Sequence, residues 1–275
     1  MRYEGKTALV TGASAGLGAS YARQLAALGA DVVLTARRED RLAALADELR
    51  GLGRWAQVVP ADLSKPDAPA GVIEACERPI DILVNNAGFG LPGTFDRTTW
   101  TEQRDFIQLM LTSCAELAHR ALPGMYERRW GRIVNVASLA GIVPGSAGHT
   151  LYGATKAFLI SFSQSLAAEG TPNGVRAQAC CPGFTYTEFH DVNGTRDKAS
   201  TMPDFMWMKA DDVIQGSLTA LENGPVVFVP GRLNQAIART TRVLGPKGAA
   251  KMMNRQASRF RRAEGSGAGS PTGST

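Results

Sequence analysis

The sequence predicts an α/β fold: a single domain on a doubly wound sheet of about seven mostly parallel strands, with helices on both faces. Three observations carry this. Short β-rich runs alternate with longer helical patterns along the 275 residues. Several runs are continuously apolar rather than alternating, as in parallel strands covered on both sides. The first run also ends in a glycine cluster that opens a helical stretch.

The strands are expected at residues 6–11, 31–36, 56–61, 81–85, 132–137, 175–181 and 226–230. Helical stretches fall between them, at 17–28, 38–52, 67–77, 99–127, 151–169 and 211–223. Right-handed crossovers would send these helices to both faces of the sheet. No internal repeat and no linker divides the chain. Residues 265–275, GSGAGSPTGST, are low-complexity and are expected to be disordered.

Composition bounds the function. Hydrophobic residues make up 44% and charged residues 20%, enough to bury a core without disulfide or metal staples. The four cysteines (Cys76, Cys114, Cys180, Cys181) show no CxxC or zinc spacing, which points to a reducing compartment. Three histidines argue against a His-rich metal site, and no metal is expected. No run of about 18 apolar residues is present, and the N-terminus enters a strand at once, leaving no room for a signal peptide. The expected location is cytoplasmic.

Charge is unevenly placed. From Arg232 onward there are nine basic residues and one acid, a net +8, on a body of net −3. A basic tail on a slightly acidic body is a poor nucleic-acid footprint, so no nucleic-acid partner is expected. The segment 234–262 interleaves Ile237, Val243, Leu244, Met252, Met253 and Phe260 with its bases and reads as one or two helices broken around Gly245-Pro246. Such a segment suits peripheral contact with an anionic membrane, a neighbouring subunit, or solvent.

The chemistry-bearing residues stand at strand ends. Thr11-Gly12-Ala13-Ser14-Ala15-Gly16-Leu17-Gly18 follows the first strand and opens a helix. Glycines there let backbone approach a pyrophosphate, and the helix N-terminus offers free N–H groups. The spacing is GxxxGxG rather than GxGxxG, and the strand-to-helix context makes it a Rossmann-type dinucleotide turn. The second strand is followed by Arg37-Arg38 with no acid at its end. Two guanidiniums there can grip a 2′-phosphate, which favours NADP(H) over NAD(H). Asp62-Leu63 and Asn85-Asn86-Ala87-Gly88 lie at further strand ends, where ligands of open α/β sheets bind. Ser138 ends the fifth strand. Tyr152 and Lys156, spaced i and i+4, share one helix face. An ammonium beside a phenol favours the phenolate and lowers its pKa, so the tyrosine can exchange a proton with a carbonyl or alcohol oxygen that the serine holds.

In these motifs, in this order over residues 5–231, the chain resembles the short-chain dehydrogenase/reductase family. The resemblance makes residues 1–231 the dinucleotide-binding and catalytic domain, with a substrate lid at about 184–210 and a basic extension at 232–264. It implies that Thr11, Gly12, Gly16 and Gly18 form the turn, with Ser14 and the Leu17 amide at the phosphates. Arg37 and Arg38 would select NADP(H), and Asp62 and Leu63 would flank the adenine. Asn86, Ala87 and Gly88 would run from the adenine-side ribose toward the nicotinamide. Tyr152 would be the general acid/base, Ser138 the carbonyl clamp, and Lys156 the ribose ligand that also lowers the tyrosine pKa. Pro182, Gly183, Thr185 and Thr187 would cover the nicotinamide. The implied assembly is a homodimer or homotetramer through the two long helices. One departure stands out. Met110 occupies the position where many members carry a relay asparagine, and methionine cannot usefully hold a relay water. Thr112, Ser113 or the backbone carbonyl of residue 110 could take its place.

The expected function is an NADP(H)-dependent oxidoreductase interconverting a hydrophobic ketone or aldehyde and its alcohol. The hydrophobic substrate rests on Phe184, Tyr186, Phe189, Met202, Phe205, Met206, Trp207 and Met208. His149 and His190 read as pocket-mouth or surface residues. The alternative is a dinucleotide-binding sensor or scaffold with weak or lost catalysis.

Overall fold

The computed structural model describes residues 1–91, 94–145, 150–187, 203–244 and 248. His149, Phe189, His190, Met202 and the chain beyond Leu244 apart from residue 248 lie outside them, which includes Lys247, Lys251, Arg255, Arg259, Arg261, Arg262 and the segment 265–275.

Seven strands form one sheet: β1 (Thr7–Thr11), β2 (Asp31–Thr35), β3 (Ala56–Val58), β4 (Ile82–Asn85), β5 (Gly131–Val136), β6 (Val175–Cys180) and β9 (Val227–Phe228). Their order is β3-β2-β1-β4-β5-β6-β9, and every pairing is parallel. The order reverses between β1 and β4, which opens a crevice beyond their carboxyl ends. A second, two-stranded parallel sheet pairs β7 (Thr185–Tyr186) with β8 (Met208–Lys209). The sequence pattern did not predict it, because two-residue strands are too short to show a period.

The helices are α1 (Gly16–Ala27), α2 (Glu39–Gly51), α3 (Ala68–Ala75), α4 (Trp100–Ile107), α5 (Ser113–Glu127), α6 (Thr150–Gly170), α7 (Ala210–Asn223) and α8 (Arg232–Val243). Alternation along the strands sorts them onto two faces. Ala8, Val10, Val32, Leu34, Val134 and Val136 pack with Tyr21 and Leu25 of α1, Leu42 and Leu49 of α2, and Ile214 and Leu218 of α7. Leu9, Val33, Leu83 and Ile133 point the other way, onto Val72 of α3, Leu117 and Met125 of α5, and Leu166 of α6. Each fully buried Val, Leu or Ile among them is worth roughly 1.5–3 kcal/mol relative to exposure. The expected fold class is therefore observed.

The single helix expected over 99–127 is interrupted. A π-helical turn, Gln108–Thr112, separates α4 from α5, and the Ser113 N–H reaches back to the Gln108 carbonyl. The Ser113 hydroxyl donates to the Leu63 carbonyl at 2.7 Å, and Gln108 Nε2 donates to the Ser113 hydroxyl at 3.2 Å. Thr99 starts α4 with a capping box shared with Glu102. No helix among the described residues is long and apolar enough to cross a membrane.

Candidate active site

The site grows from the carboxyl ends of β1, β4 and β5. Thr11, buried at the end of β1, donates its hydroxyl to the Val84 carbonyl at 3.1 Å. The same oxygen accepts the N–H groups of Asn86 at 2.9 Å and Ala87 at 3.0 Å. Asn86 returns its side-chain amide to the Thr11 carbonyl at 2.9 Å and the Gly12 carbonyl at 3.3 Å. The first glycine turn and the Asn86-Ala87-Gly88 segment are thus bolted across the crevice.

Two glycines of the turn need left-handed backbone, Gly12 at φ +65° and Gly16 at φ +56°. Gly18 is required by contact instead: a β-carbon there would overlap the Gly12 carbonyl oxygen. Gly12 leaves room for Ala87, whose Cα would stand 2.8 Å from an added β-carbon. Thr187 packs over Gly16, its Cβ 3.1 Å from where a β-carbon would be. Leu17 packs partly buried against the core on the α1 side. The free N-terminus of α1 has no side-chain cap, which leaves its first N–H groups for a ligand.

Arg38 sits at the N-cap of α2, so that helix begins one residue later than expected. Its Nε and one terminal nitrogen donate to the Ser14 hydroxyl at 3.2 and 3.1 Å. Asp62 accepts the Ser64 N–H at 3.1 Å and the Ser64 hydroxyl at 2.8 Å. Burial works to raise the Asp62 pKa, but the Ser64 hydrogen bonds and the charges of Arg37 and Lys65 more than offset it, and the net direction is down. Ser14, Arg37, Arg38 and Asp62 therefore share one corner beside the glycine turn.

Ser138 lies two residues beyond β5 and caps a short turn, its hydroxyl accepting the Ala140 N–H at 3.1 Å. The Ser138 and Tyr152 side chains are hydrogen-bonded to each other. Tyr152 is half-buried as a residue, with its hydroxyl enclosed. Burial raises its pKa, and the Ser138 hydrogen bond only partly counters this. Lys156 is buried, its Nζ 5.6 Å from the Tyr152 ring centroid. That ammonium donates to the Val136 carbonyl at 2.7 Å, and burial lowers its own pKa to about 8. In the chain alone burial is the dominant influence on the Tyr152 hydroxyl, and the net direction is up.

Pro182 accepts the Leu139 N–H at 2.9 Å, tying the segment after β6 to the residue beside Ser138. Gly183 accepts the Thr185 hydroxyl at 3.2 Å. Met110 is buried, and its sulfur would lie 2.7 Å from a β-carbon at Gly88. Two features gave no signal in the sequence. One is a buried chain in which Asn85 donates to Asn135 (2.9 Å) and Asn135 to Ser163 (2.9 Å), which holds β4, β5 and α6 together behind the site. The other is Asn234, which stands beside Gln235 just after Arg232.

The profile of the short chain dehydrogenase family matches residues 6–198. The chain belongs to the short-chain dehydrogenase/reductase family. A 3-oxoacyl-[acyl-carrier-protein] reductase of Vibrio harveyi is 37% identical over 202 residues, which is 74% of this chain and 82% of that protein. The solved structure of a short-chain dehydrogenase from Sphingobium yanoikuyae in complex with NADPH is 33% identical, with a TM-score of 0.76 over 98% of both chains. A bulky-bulky ketone specific alcohol dehydrogenase from Comamonas testosteroni is 29% identical, with a TM-score of 0.73, covering 98% of this chain and 97% of that one. This short-chain dehydrogenase/reductase is accordingly a nucleotide-binding oxidoreductase on a Rossmann-type fold.

Proposed function

We propose that the chain is an NADP(H)-dependent enzyme that interconverts a hydrophobic ketone or aldehyde and its alcohol, with Tyr152 as general acid/base. The observation that carries this is the hydrogen bond between Ser138 and Tyr152, with buried Lys156 on the same helix.

The cradle fits a dinucleotide. Gly12 and Gly18 let the turn fold tightly against itself and the Asn86-Ala87 segment, and the N-terminus of α1 that follows has no side-chain cap. Ser14, Gly16 and the Leu17 amide would hold the phosphates. Arg38, held at Ser14, and Arg37, near Asp62, would take the 2′-phosphate, with Asp62 and Leu63 beside the adenine. Asn86, Ala87, Gly88, Tyr152 and Lys156 would line the path to the nicotinamide, covered by Pro182, Gly183, Thr185 and Thr187. The NADPH in the Sphingobium relative supports this choice of cofactor.

When bound, the nicotinamide supplies or accepts the hydride. The chain does the rest. Ser138 and Tyr152, already bonded to each other, converge on one substrate oxygen. Burial keeps Tyr152 protonated, the form that can protonate a carbonyl oxygen during reduction. Lys156 holds its proton below about pH 8 and can donate to ribose hydroxyls. The aromatic group Phe184, Trp207 and Tyr186, with Trp207 stacked on Tyr186 at 4.8 Å, supports a hydrophobic substrate.

A second reading, a dinucleotide-binding sensor, draws on Met110, which puts a buried thioether at the relay position. NADPH oxidation by the purified protein across ketones and aldehydes of graded hydrophobicity, repeated with NADH, separates the two. Turnover that prefers NADPH is expected. Tight NADPH binding with no turnover on any compound would hand the site to the sensor reading.

The remaining assignments are a cytoplasmic location and a homodimer or homotetramer through the long helices, which light scattering tests. Val243 and Leu244 are exposed beside Arg239 on α8. Membrane contact through this end predicts salt-sensitive co-sedimentation with anionic liposomes, and none with neutral ones.

A further inference from the structure

Asn234 lies on the first turns of α8, in the stretch that reads from sequence as a basic extension. Its residue is only 6% exposed. The side-chain amide donates to the Pro230 carbonyl at 2.9 Å and stands 3.6 Å from the Met208 sulfur. A β-carbon at Gly183 would come within 2.5 Å of Asn234 Oδ1 and 2.7 Å of Nδ2. The φ of Gly183 is not in the left-handed region, so backbone conformation does not demand glycine here. The missing side chain serves the approach of Asn234.

Met208 completes the junction. Its N–H donates to the Phe184 carbonyl at 3.0 Å, and it pairs with Thr185 across the small sheet. Gly231, at φ +83°, lets its sulfur approach the start of α8, with 3.0 Å to a β-carbon placed there. One amide therefore touches three segments: the Pro182–Gly183 turn, the β8 strand at the lid base, and the chain entering α8. The turn in turn holds Leu139, next to Ser138, through the Pro182 carbonyl.

We propose that Asn234 is a positioning residue of the active site. It fixes the Pro182–Gly183 turn and the base of the lid, so the functional unit runs through α8 rather than ending near Gly231. This rests on the reading above, in which residues 182–187 cover the nicotinamide. Truncating the amide leaves the Pro230 carbonyl without its donor and opens space against Gly183, so the turn loses its fixed height. The adenine end, built from Ser14, Arg37, Arg38 and Asp62, makes no contact with Asn234 and keeps its geometry.

The test is binding of two ligands to the full-length protein by calorimetry: NADPH, and 2′-phospho-ADP-ribose, which lacks the nicotinamide. Asn234→Ala should weaken NADPH about tenfold and the fragment less than about twofold. Asn234→Asp keeps the volume against Gly183 and loses the donor, so it should weaken NADPH by about threefold, again sparing the fragment. Gly183→Ala attacks the same contact from the other side, should reproduce the selective loss, and serves if the first variant does not fold. Equal weakening of both ligands, or no change in either, would overturn the proposal. Wild-type protein that binds neither ligand would overturn the nucleotide reading itself, and the positioning role with it.

Discussion

Lys156 donates its ammonium to the backbone carbonyl of Val136 at 2.7 Å, linking α6 to the end of β5 while both partners are buried. Burial lowers the lysine from 10.5 to about 8. Between those values the unfolded chain holds more protons than the folded one, so this group adds stability as pH rises. Below about pH 8 burying the ammonium costs folding in full. The buried thiols of Cys114 and Cys180, pushed up to about 11, act in the opposite direction above about pH 9. The Lys156 charge lowers both thiols, so the comparison with Lys156→Met is read below about pH 9, before they titrate. Urea unfolding of both proteins should show wild type gaining on the variant between about pH 8 and 9. A pH-independent difference would refute the burial argument.

Tyr152→Phe removes the proton donor without changing the ring. Carbonyl reduction should fall by about 10²–10⁴ in kcat. NADPH affinity should stay within about threefold, because the deleted hydroxyl is bonded to Ser138. A parallel loss of affinity would mean that the hydroxyl's role is to hold the cofactor.

Arg38→Ala leaves Ser14 without its guanidinium partner and removes one of two cations beside the glycine turn. A charge-assisted hydrogen bond contributes about 1.5–3 kcal/mol, so kcat/KM with NADPH should drop at least about tenfold. The value with NADH should hold or rise. An equal drop with both cofactors would remove the 2′-phosphate assignment.

Gly88 and Met110 should behave as a coupled pair. Gly88→Ala sets a β-carbon 2.7 Å from the Met110 sulfur, an overpacking worth about 1–3 kcal/mol. Met110→Ala alone opens a buried cavity and costs about 2–5 kcal/mol. In the double variant the new methyl enters that cavity. Its loss of stability should be smaller than the sum by at least about 0.5 kcal/mol, read from denaturant midpoints. Simple additivity would show that the two side chains do not share the space.

The sheet was legible because its central strands are apolar on both faces. The third strand, expected at 56–61, is regular only over Ala56–Val58. Its pairing nevertheless continues, with the Val59 and Ala61 N–H groups bonded to Leu34 and Ala36. Ser138, Tyr152 and Lys156 were legible from their order and the i, i+4 spacing, and the structure brings the three side chains together. The direction of the Tyr152 shift was not, because spacing reveals an ammonium nearby but not how deeply the hydroxyl is buried. Asn234 was silent because Gly183 and Met208 become its neighbours only after folding.

The π-helical turn at Gln108–Thr112 carries one residue more than a regular helix would need over the same rise. That surplus acts as an angular phase shifter. In an unbroken helix each residue advances by about 100°, so deleting one here would regularise the rod and leave α4 and α5 in phase, whereas forcing all the residues into a regular helix would rotate α4 by about that angle against α5. Phe106, buried and edge-on to Phe89 at 5.4 Å, would then swing out of the interior while Leu117 stayed in it. The turn lets two helical segments whose apolar stripes are out of step address one protein interior.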